Sequence, residues 1–202
     1  MRGHSAIAVL GALLLCLAPA AWSQQRSERS ASDLMDVLMW NREPVGGPFA
    51  LIDHNGAPRS DAAFRGKLML VYFGFTFCPD VCPTDLQAIG VAMQQLGKSA
   101  ESVQPLFVTL DPERDTPQRL AGYVTFFHPR LIGLTGDARA IAQAARAYKV
   151  YYAKVENSSG YTVDHSGYVY LMDRAGKYLG FFPPGTPPER MVEIIRPFLA
   201  LD

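Results

Sequence analysis

Apolar and polar positions alternate along this chain in blocks that switch repeatedly between strand-like and helix-like spacing. Phe49-Ala-Leu-Ile-Asp53, then Asn55-Gly56, then a return near Arg59 predicts a β-hairpin with an Asn-Gly turn. Leu68 to Phe75 is a continuous apolar run of the kind a strand buried on both faces requires. Pro83 to Leu96 carries helical periodicity, with proline in the first turn where its missing N–H is not needed. Val103 to Leu110 reads as a second buried strand, Pro117 to Phe127 as a helix, and Leu131 to Leu134 as a short strand. Asp137 can cap a helix from Ala138 to about Tyr148, and Val150 to Val155 is again extended. Gly167 to Met172 and Tyr178 to Phe182, joined by Arg174-Ala-Gly-Lys177, predict a second hairpin before a last helix from Pro188 to about Leu199. Strands alternating with helices, and closing in a hairpin and helix, indicate an α/β class. The expected architecture is a mixed sheet flanked by helices, with an N-terminal β-hairpin extension.

The first residues belong to a different regime. A basic start, Met1-Arg2-Gly-His4, leads into an uncharged run from Ala6 to Ala21, and Ala21-Trp22-Ser23 offers small residues for cleavage. As a helix the run spans roughly 24 Å, short of the ~30 Å hydrocarbon core. Residues 1–23 therefore read as a signal peptide, with an uncleaved anchor as the alternative. Residues 24–48 read as a tether with a short amphipathic helix over Asp33 to Trp40, and 49–202 as the folded domain. Such a start places the domain in the periplasm or otherwise outside the cytoplasm, with membrane contact limited to proximity or an inner-membrane anchor.

Charge excludes one class of partner. Lys and Arg number 19 and Asp and Glu number 19, so the chain has no electrostatic case for nucleic acid. Cleavage removes Cys16 and leaves Cys78 and Cys82, too few for a disulfide-stapled scaffold.

Chemistry concentrates in Cys78-Pro-Asp-Val-Cys82, at the junction of the buried strand and the following helix. The first turn of a helix presents free N–H groups and the positive end of the dipole, which favour thiolate and predict an accessible, reactive pair. A local structural disulfide is the bland alternative, and closing so small a loop stabilises little. Dithiol at the end of a central strand is the thioredoxin-like arrangement, but three residues separate the thiols instead of two. The wider spacing suits a metal at least as well as a disulfide.

A third ligand is expected among the histidines. His54 sits in a turn and His128 in a helix-ending loop, where neither needs a special role. His165, in Val163-Asp-His-Ser-Gly-Tyr168, lies where the chain enters its last hairpin and would pass over the dithiol. Two thiolates and an imidazole fit a small trigonal site in which sulfur selects Cu(I) and the imidazole tolerates Cu(II). Zinc normally wants a closed fourth ligand. Asp164 is either a carboxylate that orients the imidazole or a solvated loop residue. Asp115 or Thr116 caps the helix from Pro117, Asp111 stands at a strand end that could face the metal loop, and Met35 and Met39, one helical turn apart, read as part of an apolar docking face, with contact to Cu(I) as the alternative.

Together, Val71-Tyr-Phe-Gly-Phe-Thr-Phe-Cys-Pro-Asp-Val-Cys-Pro83, Leu110-Asp-Pro-Glu-Arg-Asp-Thr-Pro117 and Val163-Asp-His-Ser166 resemble the Sco/SenC/PrrC family. The resemblance spans about Val45 to Leu199. It implies a thioredoxin-like fold that holds one copper ion, Cu(I) or Cu(II), through Cys78, Cys82 and His165. It also implies a chaperone that delivers copper to the binuclear centre of cytochrome c oxidase subunit II, or reduces that protein's cysteines. Its partners would be subunit II or the proteins that donate copper. The alternative is an enzyme, a thiol-disulfide oxidoreductase whose redox pair is Cys78 and Cys82 and which needs no metal. A peroxide-reducing relative is the weaker third option.

Overall fold

The computed structural model of the chain describes residues 44–158 and 160–200. The expected signal or anchor, the Asp33 to Trp40 helix, and Met35 and Met39 lie outside those residues. Residues 44–48, read from sequence as tether, lie against the body: Val45 is buried and the Gly46 N–H donates to the Ala147 carbonyl at 2.9 Å.

Among the described residues nine strands and four α-helices follow. They are β1 (Ala50–Asp53), β2 (Pro58–Ser60), β3 (Leu68–Gly74), α1 (Val81–Leu96), β4 (Val103–Thr109) and α2 (Pro117–Phe127). Then come β5 (Ile132–Thr135), α3 (Ala138–Ala147), β6 (Tyr152–Asn157), β7 (Gly160–His165), β8 (Val169–Met172), β9 (Tyr178–Phe182) and α4 (Pro188–Leu199). Seven strands make one sheet in the order β2-β1-β5-β4-β3-β8-β9. Strands β3, β4 and β5 run parallel, and the rest pair antiparallel, so the sheet is mixed as expected.

The centre of the sheet explains the apolar runs. Every residue of β3 and β4 is buried, because each strand has neighbours on both sides and layers above and below. Helix α1 packs against α4 and α2, while α2 lies along β5 and α3 along β1. The first hairpin forms as predicted, although its loop is longer than a two-residue turn. Residues 54–57 separate the strands, and only Gly56 takes a positive φ. The Asp53 carboxylate closes that loop, accepting from the amides of Asn55 and Ala57 at 2.9 Å each and pairing with Arg59 at 2.8 Å.

Helix α3 ends where Lys149 turns left-handed (φ 58°). The Val150 N–H returns to the Ala145 carbonyl and the Lys149 N–H to that of Arg146, satisfying carbonyls the helix leaves open. The chain then enters the one part the pattern did not predict in full. Strands β6 and β7 form a separate two-stranded sheet, with Tyr152 opposite His165 and Asn157 opposite Gly160. The sequence reading ends its extended piece at Val155 and has no strand at 160–165. The signal was present: Tyr161, Val163 and His165 alternate with Gly160, Thr162 and Asp164 at strand spacing.

Candidate metal centre

Strand β3 delivers the cysteine loop and Gly74 makes room for it. A Cβ on Gly74 would stand 2.8 Å from the Cys82 Sγ and 3.0 Å from the Phe107 ring. Beyond it, the segment after β4 anchors the loop. The Asp115 carboxylate, fully buried, accepts from the Thr76 amide (3.0 Å), the Thr76 hydroxyl (2.5 Å) and the Thr109 hydroxyl (2.7 Å). The helix cap is Thr116, whose hydroxyl accepts from the Arg119 amide at 3.3 Å. Sequence reading offered Asp115 only as an alternative cap. Its role as a post for the cysteine loop depends on a contact across 39 residues that no local pattern carries.

Helix α1 begins at Val81, two residues before Pro83, so Cys82 lies inside its first turn. This corrects the expectation of two accessible thiols. Cys82 is 0% exposed, packed toward Gly74 and the sheet, whereas Cys78 in the preceding loop is half-buried. Both thiols are free. Their electrostatics diverge accordingly. Hydrogen bonding from Cys82 lowers the Cys78 pKa most, opposed by burial and aided by the amides of Asp80 and Cys82, to about 4. The bond to Cys78, then burial, then repulsion from that sulfur's charge push Cys82 up. One proton leaves the pair readily and the second is held.

His165 closes the group from β7. Its Nε2 stands 3.3 Å from the Cys82 Sγ and its Nδ1 3.0 Å from the Ser166 carbonyl oxygen. A carbonyl can only accept, so Nδ1 carries the hydrogen and the Nε2 lone pair faces the sulfurs. Asp164 does not perform this orienting role; it is exposed on the other face of the strand. Tyr72 and Phe75 wall the imidazole edge-on, with ring centroids at 6.5 and 5.9 Å. One donor atom each from Cys78, Cys82 and His165 lie within 4.8 Å of one another, as one small ion requires. Two sulfurs and an unprotonated imidazole nitrogen are the donor set of a soft, low-coordinate metal. Behind them Asp85 is buried, its Oδ1 accepting from the Gly185 amide at 2.9 Å, and burial raises its pKa.

The remaining candidates are structural. The His54 Nδ1 accepts from the Gly133 amide at 3.1 Å, and the His128 Nδ1 from the Arg130 amide at 3.1 Å. Asp111 faces the β6–β7 hairpin and not the sulfurs: it accepts from the Tyr161 hydroxyl at 2.7 Å and pairs with Arg114.

The chain is similar to known proteins. A model of the SCO1/SenC family matches residues 39–200. The mitochondrial SCO2 homologue of Bos taurus is 44% identical over 186 residues, covering 89% of this chain and 70% of that relative. The copper-bound structure of Bradyrhizobium japonicum ScoI is 41% identical with a TM-score of 0.72, covering 76% of this chain and 99% of that one. Copper-bound yeast Sco1 is 36% identical with a TM-score of 0.70, over 77% and 88% respectively. With its thioredoxin-like fold and a family model that takes in every described element, the chain belongs to the SCO1/SenC family.

Proposed function

We propose that this protein binds one copper ion through Cys78, Cys82 and His165 and passes it on during assembly of cytochrome c oxidase, with the binuclear centre of subunit II as recipient. The observation that carries the reading is the convergence of those three donors within 4.8 Å, from a loop, a helix and a separate hairpin. The copper-bound relatives support the choice of metal, and the softness of two thiolates supports it independently. The domain works outside the cytoplasm, as the uncharged run before residue 24 implies; among the described residues no helix is long and apolar enough to cross a membrane.

Handover proceeds by ligand exchange. Cys78 is the half-buried sulfur at the mouth, so a partner's thiolate meets it first, and Cys82 and His165 hold the ion from behind. Loading the apo site costs the proton that Cys82 retains, so copper uptake releases a proton to solvent.

A second reading has its own observation. A Cys78 thiolate backed by a protonated Cys82 is a nucleophile with a resolving thiol behind it. Cys78 would attack a partner disulfide and expel one partner thiolate; Cys82 would then attack Cys78 and release the other. The partner gains two electrons and the pair ends as a disulfide.

Anaerobic titration of the reduced domain with Cu(I) and then Cu(II), beside His165→Ala, decides between them. Tight one-to-one binding that weakens by about tenfold or more in the variant is the expected result. Copper uptake that ignores His165, with dithiol exchange intact, would overturn the copper site and leave the oxidoreductase.

A further inference from the structure

The hairpin that carries His165 is not a strand pair of the main sheet, so backbone ladders do not set its position. Its position depends on side chains along one face of β7. Tyr161, Val163 and His165 share that face: Val163 is buried in the body, His165 reaches Cys82, and Tyr161 lies about 13 Å further along the strand. Around Tyr161 three residues close a ring. The Tyr161 hydroxyl donates to the Asp111 Oδ1 at 2.7 Å, Arg114 Nε donates to the Asp111 Oδ2, and Arg114 Nη1 donates to the Tyr161 backbone carbonyl at 3.0 Å. Asp111 is fully buried, so this carboxylate is committed to these partners.

The guanidinium of Arg114 also stacks. Its centre lies 3.8 Å from the Tyr161 ring on the hairpin and 4.6 Å from the Phe77 ring, the residue before Cys78. Phe75, which meets the His165 ring edge-on, is 6.0 Å away. Arg114 Nη2 is buried without a hydrogen-bond partner, which fits a group placed between rings and not among acceptors. One side chain therefore touches both the hairpin that carries His165 and the segment that leads into Cys78.

The geometry points to Arg114, with Asp111 and Tyr161, as a positioning clamp that holds the His165 strand against the cysteine loop and so sets the third copper ligand. The clamp rests on the copper reading above. It acts on the imidazole and not on the thiols, so loosening it turns a three-donor site toward a two-sulfur site. Cu(II), which depends more on the nitrogen, weakens more than Cu(I).

Tyr161→Phe is the first variant, since it keeps the ring and removes one bond to a charged acceptor. Arg114→Met follows; it leaves Asp111 buried without its cation and puts more of the fold at risk. Expected for Tyr161→Phe are Cu(II) binding weakened by about tenfold, a smaller loss for Cu(I), reduced nitrogen hyperfine coupling in the Cu(II) resonance spectrum, and unchanged alkylation of Cys78. In the metal-free protein, amide hydrogen exchange across 152–165 quickens while β3 and β4 keep their protection. Wild-type Cu(II) affinity and nitrogen coupling in both variants, unaltered exchange in the hairpin, or equal loss of Cys78 reactivity and metal would each overturn the clamp. A wild-type chain that takes up no copper overturns the proposed function instead, and the metal-free exchange then still tests the clamp alone.

Discussion

Cys78 and Cys82 are separated by four positions in the chain, but their surroundings give them opposite chemistry. The half-buried one is the better acid, because its neighbour's thiol and the nearby amides stabilise its charge, and the fully buried one keeps its proton. With Cys78 near 4, its thiolate is present through the neutral range and is lost only as pH falls through that value. Iodoacetamide applied to the reduced, metal-free protein at about pH 6 should therefore give a single adduct on Cys78. In denaturant both thiols should react, with rates rising toward the ordinary value of 9.0. Adducts on both cysteines of the folded protein, or none until alkaline pH, would contradict this division. Spacing and placement in the sequence named Cys78, Cys82 and His165, since those residue types are scarce and their positions relative to strands carry meaning. Spacing did not reveal that Cys82 is buried. That follows from the helix starting at Val81 and from the absent Cβ at Gly74, and both are tertiary facts. Asp115, Arg114 and Tyr161 were hidden for a similar reason: an acid before a helix looks like a cap until its partner across 39 residues is known.

At the scale of elements, the helices and central strands were legible because their burial is regular. The Pro117 to Phe127 helix matches the pattern to the residue, with proline at its first turn and threonine before it. The β6–β7 hairpin was only half legible. Most of its residues are partly exposed, so its apolar content is low and its alternation, Tyr161-Val163-His165, runs through polar types. One contact between elements has a sharp consequence. A Cβ on Gly90 of α1 would lie 2.6 Å from the Phe127 carbonyl oxygen at the end of α2, and backbone cannot swing aside as a side chain can. Alanine gains about 1 kcal/mol in helix propensity, but forcing packed backbones apart costs about 1–3 kcal/mol. Gly90→Ala should thus be net destabilising by up to about 2 kcal/mol, lowering the thermal midpoint by up to about 8 °C. A midpoint at or above the parent's would show that the helices slide without cost.

For the whole molecule, the alternation of strands and helices was enough to place the dithiol at the end of a central strand and the histidine above it. Pattern alone could not show that the three donors come from parts with different attachments. Cys82 is built into α1, and Cys78 sits in a loop pinned by Asp115. His165 rides on a hairpin outside the seven-stranded sheet. A metal bound to all three joins the hairpin to the body, and because the unfolded chain cannot assemble the site, binding energy becomes folding energy. With free Cu(I) at about a hundred times the dissociation constant, the linkage supplies about 2.7 kcal/mol. For a domain of this size that raises the thermal midpoint by about 5–10 °C, growing with metal concentration. In His165→Ala the remaining sulfurs both lie in the body, one in α1 and one in the loop before it, so most of the gain should vanish, and the metal should no longer slow amide exchange in β6 and β7. Calorimetry with and without Cu(I), on both proteins, checks this directly. Equal stabilisation of parent and variant would mean that the ion is held by the cysteine loop alone and that the hairpin takes no part in holding it.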